Sequence, residues 1–216
     1  WYCSAVVSFL LFLLLLGWTN HLANTQDAQQ MAGRWSEKKD VAQISCFFSS
    51  KAEVTEDTIQ SFEYSLKNVL QEASITETSE NPSARLWVDA YSADGKITLV
   101  NGRNTLDANA IGIGGDFFLF HPLKLITGSY FSGNDLMQDY CIIDQDAAWQ
   151  LFGSNDVVGM TVYIGNVPHI VTGVVRRPQG RMEKAAGLTS TVVYVSYETL
   201  EAYGTSNGIN HYEIVM

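Results

Sequence analysis

Apolar and polar positions are distributed very unevenly along the chain. The first eighteen residues, WYCSAVVSFLLFLLLLGW, carry no charge, and the first ionised side chain is Asp27. Eighteen helical residues rise about 27 Å, close to the ~30 Å hydrocarbon core of a bilayer. Trp1, Tyr2 and Trp18 stand where interfacial aromatics anchor both ends of a spanning helix. The pattern predicts a transmembrane helix over 1–20. The competing reading, a secretory signal peptide, finds no basic n-region, no initiator Met and no Ala-x-Ala site. Residues 21–40 then turn polar, with Gln26, Gln29 and Gln30 ahead of RWSEKKD, and read as a stalk leaving the membrane.

A new rhythm starts at Val41. In VAQISCFF, Ala42, Ile44, Cys46 and Phe48 share one face of a half-buried strand. Thr55 with Glu56 and Asp57 supplies an N-cap and an acidic first turn, after which Ile59, Phe62, Leu66, Val69, Leu70 and Ala73 recur at helical spacing. RLWVDAY and KITLV flank SADG, so Asp94-Gly95 predicts a hairpin turn between two strands. From Thr105 to Val175 glycine and aromatics are denser, as expected for short strands. One short helix stands among them at Gln145 to Phe152, capped by Asp144 and ended by Gly153. Two further apolar runs separated by Gly165 and Asn166 predict a second hairpin. RRPQGRMEKAAGLTS, residues 176–190, reads as a mobile loop. TVVYVS, YETLEAYG and HYEIVM then repeat strand, helix and strand, as if a split domain resumed.

The expected fold class is therefore α+β: an N-terminal transmembrane helix, then a strand–helix–strand frame domain interrupted by a mostly β inserted subdomain. The expected boundaries are 1–20 for the transmembrane helix, 21–40 for the polar stalk, 41–104 for the first part of the extracytoplasmic frame, 105–175 for the inserted β-rich subdomain, 176–190 for the mobile loop and 191–216 for the return to the frame. A chain that starts on Trp1 and stops on Met216 inside the apolar run IVM reads as a fragment open at both ends.

Charge narrows the function. With 13 Lys plus Arg against 23 Asp plus Glu, the formal net charge is −10, and such a surface repels a phosphate backbone. Nucleic acid is excluded as a partner on this ground. Of three cysteines, Cys46 and Cys141 are the pair outside the apolar helix. Both sit in strand-like runs, which favours two buried small hydrophobes over a disulfide.

Candidate chemistry is sparse. No G-x-x-x-x-G-K-S/T is present, and GIGGD at 112–116 lacks the Walker lysine, so turn glycines explain it. His21, His121, His169 and His211 are scattered, none in an H-x-x-x-H pattern, and His169 falls at a strand position; zinc is not expected. DQD at 144–146 could hold a hard cation, but without the Gly and Glu of a calcium loop it reads as a helix start. No G-x-S-x-G elbow marks a hydrolase. The chain is read as non-catalytic, with no catalytic, cofactor-binding or metal site assigned. Arg176, Arg177, Arg181 and Lys184 invert the local charge; they could meet an acidic partner or lipid headgroups, or simply keep a loop solvated. Phe117, Phe118, Leu119 and Phe120 cannot all point inward on one strand, so either a contact surface or a tight turn that buries most of them is implied.

The ordered phrases GGDFFLFHPLKLITGSYFSGND, CIIDQDAAWQLFGSNDVVGMTVYIGNVPHIVTGVV and TVVYVSYETL behind a membrane helix resemble the extracytoplasmic core domain of MacB-type ABC transporter permeases, a family that includes FtsX and the lipoprotein-releasing permeases. The likeness rests on Gly128, Phe131 and Asp135, on the I-I-D…A…L-F-G phrase, and on Gly159, Ile164, Gly165, Val171, Gly173 and Val174 of the second hairpin. Ser129 and Tyr130 stand where the family usually carries an Arg before the aromatic. The resemblance implies a permease subunit working as a homodimer or heterodimer with a cytoplasmic ABC ATPase, embedded in membrane lipid, its outer domain coupling ATP-driven motion to export or release of cargo. It further implies an extracytoplasmic partner protein as a candidate and no cofactor in this chain. The alternative is a membrane-anchored extracellular binding module with no transport role.

Overall fold

The charge-free run forms one continuous helix, α1 (Tyr2–Asn24), in a computed structural model that describes residues 2–24, 27–36, 41–76, 85–177, 180, 185 and 190–216. Its segment Ser4–Leu22 is long and apolar enough to cross a membrane and is buried nowhere against the rest of the chain. A 3-10 turn at Asp27–Gln30 and a short helix α2 (Met31–Trp35) follow. Within the stretch read as a stalk, α2 sends Met31 into a core, where it is 4% exposed.

The rest is one mixed sheet. Its strands are β1 (Gln43–Phe47), β2 (Val88–Asn101), β3 (Asn104–Gly115), β4 (Leu125–Gly128), β5 (Tyr140–Asp144), β6 (Thr161–Ile164), β7 (Val167–Val175), β8 (Val192–Ser196), β9 (Thr205–Ser206) and β10 (His211–Val215). The order is β1-β10-β2-β3-β8-β5-β7-β4, with β6 bridging β2 and β7 and β9 on β2. Among the described residues, β3 with β8 and β5 with β7 are the pairs that run parallel. Because Leu99 and Val100 of β2 pair with Ile164 and Tyr163 of β6, the path β2-β3-β8-β5-β7-β6 returns to β2 and closes a ring.

Side chains of successive strand residues point to opposite faces, and the sheet separates two cores by that alternation. One face carries Ala93, Ile97 and Leu99 of β2, Ala108 and Ala110 of β3, Cys141 and Ile143 of β5, Val162 and Ile164 of β6, Val193 and Val195 of β8, and Tyr212 and Ile214 of β10. The helices α3 (Glu56–Glu72), α5 (Gln145–Phe152) and α6 (Tyr197–Tyr203) add Ile59, Leu151 and Leu200 to that core. The other face carries Val88, Ala90, Ile113, Ile142, Val175 and Val215, covered by Met31 and by the aromatic helix α4 (Phe117–Phe120).

Several expectations are corrected here. Asp94-Gly95 is no turn: β2 runs straight through it and reverses at Gly102-Arg103, where Gly102 takes φ +59°. Gly95 is required for another reason. A Cβ there would lie 2.4 Å from Thr205 O and 2.9 Å from Leu200 Cδ1, so the position is bare because β9 crosses it. Likewise Gly112 and Gly114 belong to the interior of β3, where Leu200 and the Tyr91 ring approach them, and are not turn glycines. Of the face read for β1, Cys46 and Phe48, the residue just past the strand, pack against the main core, while Ile44 stays 57% exposed. The loop 176–190 lies largely outside the described residues.

Locally coded elements form as read. α5 spans Gln145–Phe152 with the Asp144 side chain accepting from Ala147 N, and ends at Gly153 in the left-handed region. Gly165 (φ +55°) and Asn166 (φ +67°) make the β6–β7 turn, the paired left-handed geometry that suits a twisted two-residue hairpin. In DFFLF the helical turn α4 buries Phe117, Phe118 and Phe120 and leaves Leu119 46% exposed. Cys46 and Cys141 are unbridged, and burial pushes the Cys141 thiol up to about 12.

Candidate functional site

The apolar helix α1 is followed by a segment that docks on the sheet. Arg34, in the last turn of α2, donates from Nη2 to the carbonyls of Leu119 (2.6 Å) and Phe120 (3.3 Å), the C-terminal carbonyls of α4. Gln43 Oε1 of β1 accepts from Met31 N at 3.0 Å. Phe118 of α4 stacks on Tyr130 with ring centroids 4.6 Å apart, and the Tyr130 hydroxyl donates to Leu123 O just past the helix. Tyr130 thus spends its polar end on the backbone of the same aromatic turn. The segment that follows α1 and the covered face of the sheet are therefore one packed unit.

A groove of about 760 Å³ lies between α3 and the start of β2, lined by Glu63, Tyr64, Lys67, Trp87 and Asp89 among others. Two carboxyls share a hydrogen bond in it. Burial, reinforced by Asp89, pushes Glu63 from the usual carboxylate range up to about 7. Burial also raises Asp89, against the hydrogen bond it accepts at Oδ2 from the Tyr212 hydroxyl at 3.0 Å. At the same end Arg85 pairs with Asp116 at 2.6 Å. Such a pair holds one proton between two oxygens, since two half-buried like charges in contact cannot both ionise cheaply.

The candidate cation site DQD is a helix start, with an added partner that spacing did not suggest. Asp144 Oδ2 takes Arg177 Nη2 at 2.7 Å and Val192 N at 3.0 Å, while Asp146 takes Arg177 Nη1 at 2.7 Å. Arg177 also donates to Thr191 Oγ1 at 3.0 Å. The cluster read as a solvated loop or partner surface is thus divided: Arg177 is an internal clamp, Arg176 is exposed, and Arg181 and Lys184 lie outside the described residues.

Histidine placement also departs from expectation. His169 is 2% exposed, with Nδ1 3.0 Å from Val167 O and Nε2 3.1 Å from Thr199 Oγ1, and burial lowers its pKa so that it stays neutral. Ser196 donates to the same Thr199 oxygen at 2.9 Å. This Ser–Thr–His knot is closed to solvent, since Ser196 and Thr199 are 2% and 4% exposed.

His121, just past α4, meets His211 and Glu213 of β10. His211 and Glu213 stand two residues apart on one strand and so point to the same face. That H-x-E alternation is the signal that a search for helical H-x-x-x-H spacing misses. Their ligand atoms all lie within 4.8 Å of one another. A cavity of about 320 Å³ opens beside them, lined by Phe47, Asp94, Phe117 and Tyr194 among others.

The sequence as a whole matches the model of the MacB-like periplasmic core domain family over residues 7–215. The chain belongs to this family. Among MacB relatives, the macrolide export ATP-binding/permease protein MacB of Pasteurella multocida strain Pm70 is 31% identical over 98 residues, 44% of this chain and 14% of that protein. Its counterpart in Neisseria gonorrhoeae strain FA 1090 is 36% identical over 80 residues, 36% of this chain and 12% of that protein. The chain therefore corresponds to a small part of these MacB proteins. The periplasmic region of MacB from Actinobacillus actinomycetemcomitans is similar over 61% of this chain and 59% of its own, at 24% identity and TM-score 0.45. The extracellular domain of the noncanonic ABC-type transporter YknZ from Gram-positive bacteria is similar over 81% and 82%, at 19% identity and TM-score 0.48. The MacB-type likeness carried by the ordered phrases is thus the family assignment that the whole-chain match gives.

Proposed function

We propose that this chain is the first membrane helix and extracytoplasmic domain of an ABC transporter permease of the MacB type. The domain couples ATP-driven movement of membrane helices to export or release of cargo outside the membrane. Membership of a periplasmic core domain family supports the sidedness, and the names of the MacB relatives support transport. The observation that carries the coupling is the Arg34 fork onto the last carbonyls of α4, because it ties the segment following α1 to the covered face of the sheet.

On this reading, residues 41–104 and 191–216 form the frame and 105–175 the inserted subdomain. A cytoplasmic ABC ATPase, a second permease subunit and an extracytoplasmic protein are the partners, with lipid around α1. On the same reading ATP hydrolysis belongs to the separate or fused ATPase.

Leu136, 101% exposed, reports both sidedness and motion. In intact cells the Leu136→Cys chain reacts with a membrane-impermeant maleimide, and labelling that requires lysis overturns the topology. In proteoliposomes holding the whole permease and its ATPase, ATP alters the protease sensitivity of the outer domain. An outer domain indifferent to ATP overturns the coupling.

A further inference from the structure

We propose that His121, His211 and Glu213 form a zinc site on the covered face of the sheet. Three observations carry this. First, two imidazole nitrogens and a carboxylate converge from different elements: His121 Nε2 is 2.5 Å from Glu213 Oε2, and His211 Nε2 is 3.7 Å from Glu213 Oε1. Second, all three groups are buried at their polar ends: His211 Nε2 has no hydrogen-bond partner, and His121 Nε2 and Glu213 Oε2 have only each other. Buried polar atoms are nearly always satisfied, so an unpaired imidazole nitrogen beside a buried His–Glu pair points to a cation shared by all three. Third, the cluster is held from outside. His211 stacks on Phe47 with centroids 4.5 Å apart and His121 on Phe117 at 4.6 Å, while Ser45, opposite Glu213 in the β1–β10 register, donates to Glu213 Oε1 at 2.8 Å. Ligands whose orientation is fixed by such outer contacts bind metal more tightly than loose ones.

The donor set selects the ion. Two neutral imidazoles and one carboxylate suit zinc and neighbouring late transition ions; calcium and magnesium want oxygen alone. Ligands of a tetrahedral zinc lie ~2.0–2.2 Å from the metal, so small side-chain rotations close the cluster round an ion. The 320 Å³ cavity beside it admits water as the fourth ligand. Once filled, the site links the end of α4, on which Arg34 is anchored, to the β10 strand. Zinc would therefore stiffen the junction between the membrane-helix segment and the sheet.

The test uses the full chain in detergent, purified through a tag without histidine, stripped with chelator and titrated with zinc chloride or cobalt chloride alone. We expect one zinc per chain, the visible absorption of a tetrahedral nitrogen- and oxygen-bound cobalt, and a melting temperature that rises with zinc. His121→Phe and His211→Phe, chosen to keep the ring stacks, abolish equimolar binding, and His21→Phe leaves it intact. Ser45→Ala weakens binding by about 10–100-fold. Absence of stoichiometric zinc uptake by the unsubstituted chain overturns the proposal, as does unchanged uptake in both His variants. If the variants fail to fold, X-ray absorption of the zinc-loaded parent chain decides. Two imidazoles in the first shell support the site, and a shell of oxygen alone overturns it.

Discussion

Arg177 forks between two carboxylates at the start of α5, its Nη2 2.7 Å from Asp144 and its Nη1 2.7 Å from Asp146. Asp144 is the hub, since its other oxygen caps α5 through Ala147 N at 2.8 Å and its shared oxygen also receives Val192 N. The Asp144 side chain is 3% exposed. Breaking a buried, hydrogen-bonded pair by removing one partner costs about 3–5 kcal/mol. Asp144→Ala should destabilise by that order in denaturant titration, and Asp146→Ala, whose side chain is 46% exposed, by less than about 1 kcal/mol.

The Glu63–Asp89 pair sets a pH dependence. Burial holds Glu63 at about 7 in the folded chain, above the ordinary 4.5, and raises Asp89 as well. A carboxyl with a raised folded pKa binds more protons folded than unfolded, so its stabilisation is present at acidic pH. That stabilisation fades as pH rises from about 4.5 through about 7. Melting temperatures recorded between these values should fall more for the parent chain than for Glu63→Gln. Equal slopes for the two chains would contradict a shared proton.

Gly95→Ala forces a methyl into Thr205 O and the Leu200 side chain. Overpacking of this kind costs about 1–3 kcal/mol. Hydrogen exchange should show the loss locally, with faster exchange along β9 and in the Gly95 region of β2 before the rest of the sheet responds.

Phe120 and Leu119 are neighbours with opposite surroundings, 0% and 46% exposed. Phe120→Ala should cost about 3–5 kcal/mol by leaving a cavity under α4. Leu119→Ala should stay within about 0.5 kcal/mol in the same unfolding assay.

What could be read in the sequence was what neighbouring residues decide. Asp144 and Gly153 bracket α5, and Gly165 with Asn166 needs only its own backbone geometry to turn. Thr55 heads α3, with its N–H donating to Thr58 Oγ1 at 3.4 Å. Asp94-Gly95 misled because a turn dipeptide and a strand crossed by another strand both demand glycine, and only tertiary contact tells them apart. Arg177 could not be assigned to Asp144 from spacing, since the stretch between them folds into two strands of the sheet before returning. The His121–His211–Glu213 meeting depends on the register that turns His211 and Glu213 to the covered face and on α4 packing over that face, and neither is a local property. The closure of the ring through Leu99 and Ile164 was equally invisible.

The length of β2 has a mechanical consequence. Its 14 residues extend about 46 Å at ~3.3 Å each. Neighbours grip it along the way: β10 at Val88–Ser92, β3 from Ala90 to Asn101, β9 at Gly95–Lys96 and β6 at Leu99–Val100. A pull along such a strand loads its ladder bonds in shear, many at a time, and cannot unzip them one by one. Val88, at one end, shares a core with Met31 of the segment that follows α1, and Leu99, near the other, sits inside the closed ring. β2 is thus a strut, able to carry a displacement from its Val88 end to its far end without dissipating it in local melting.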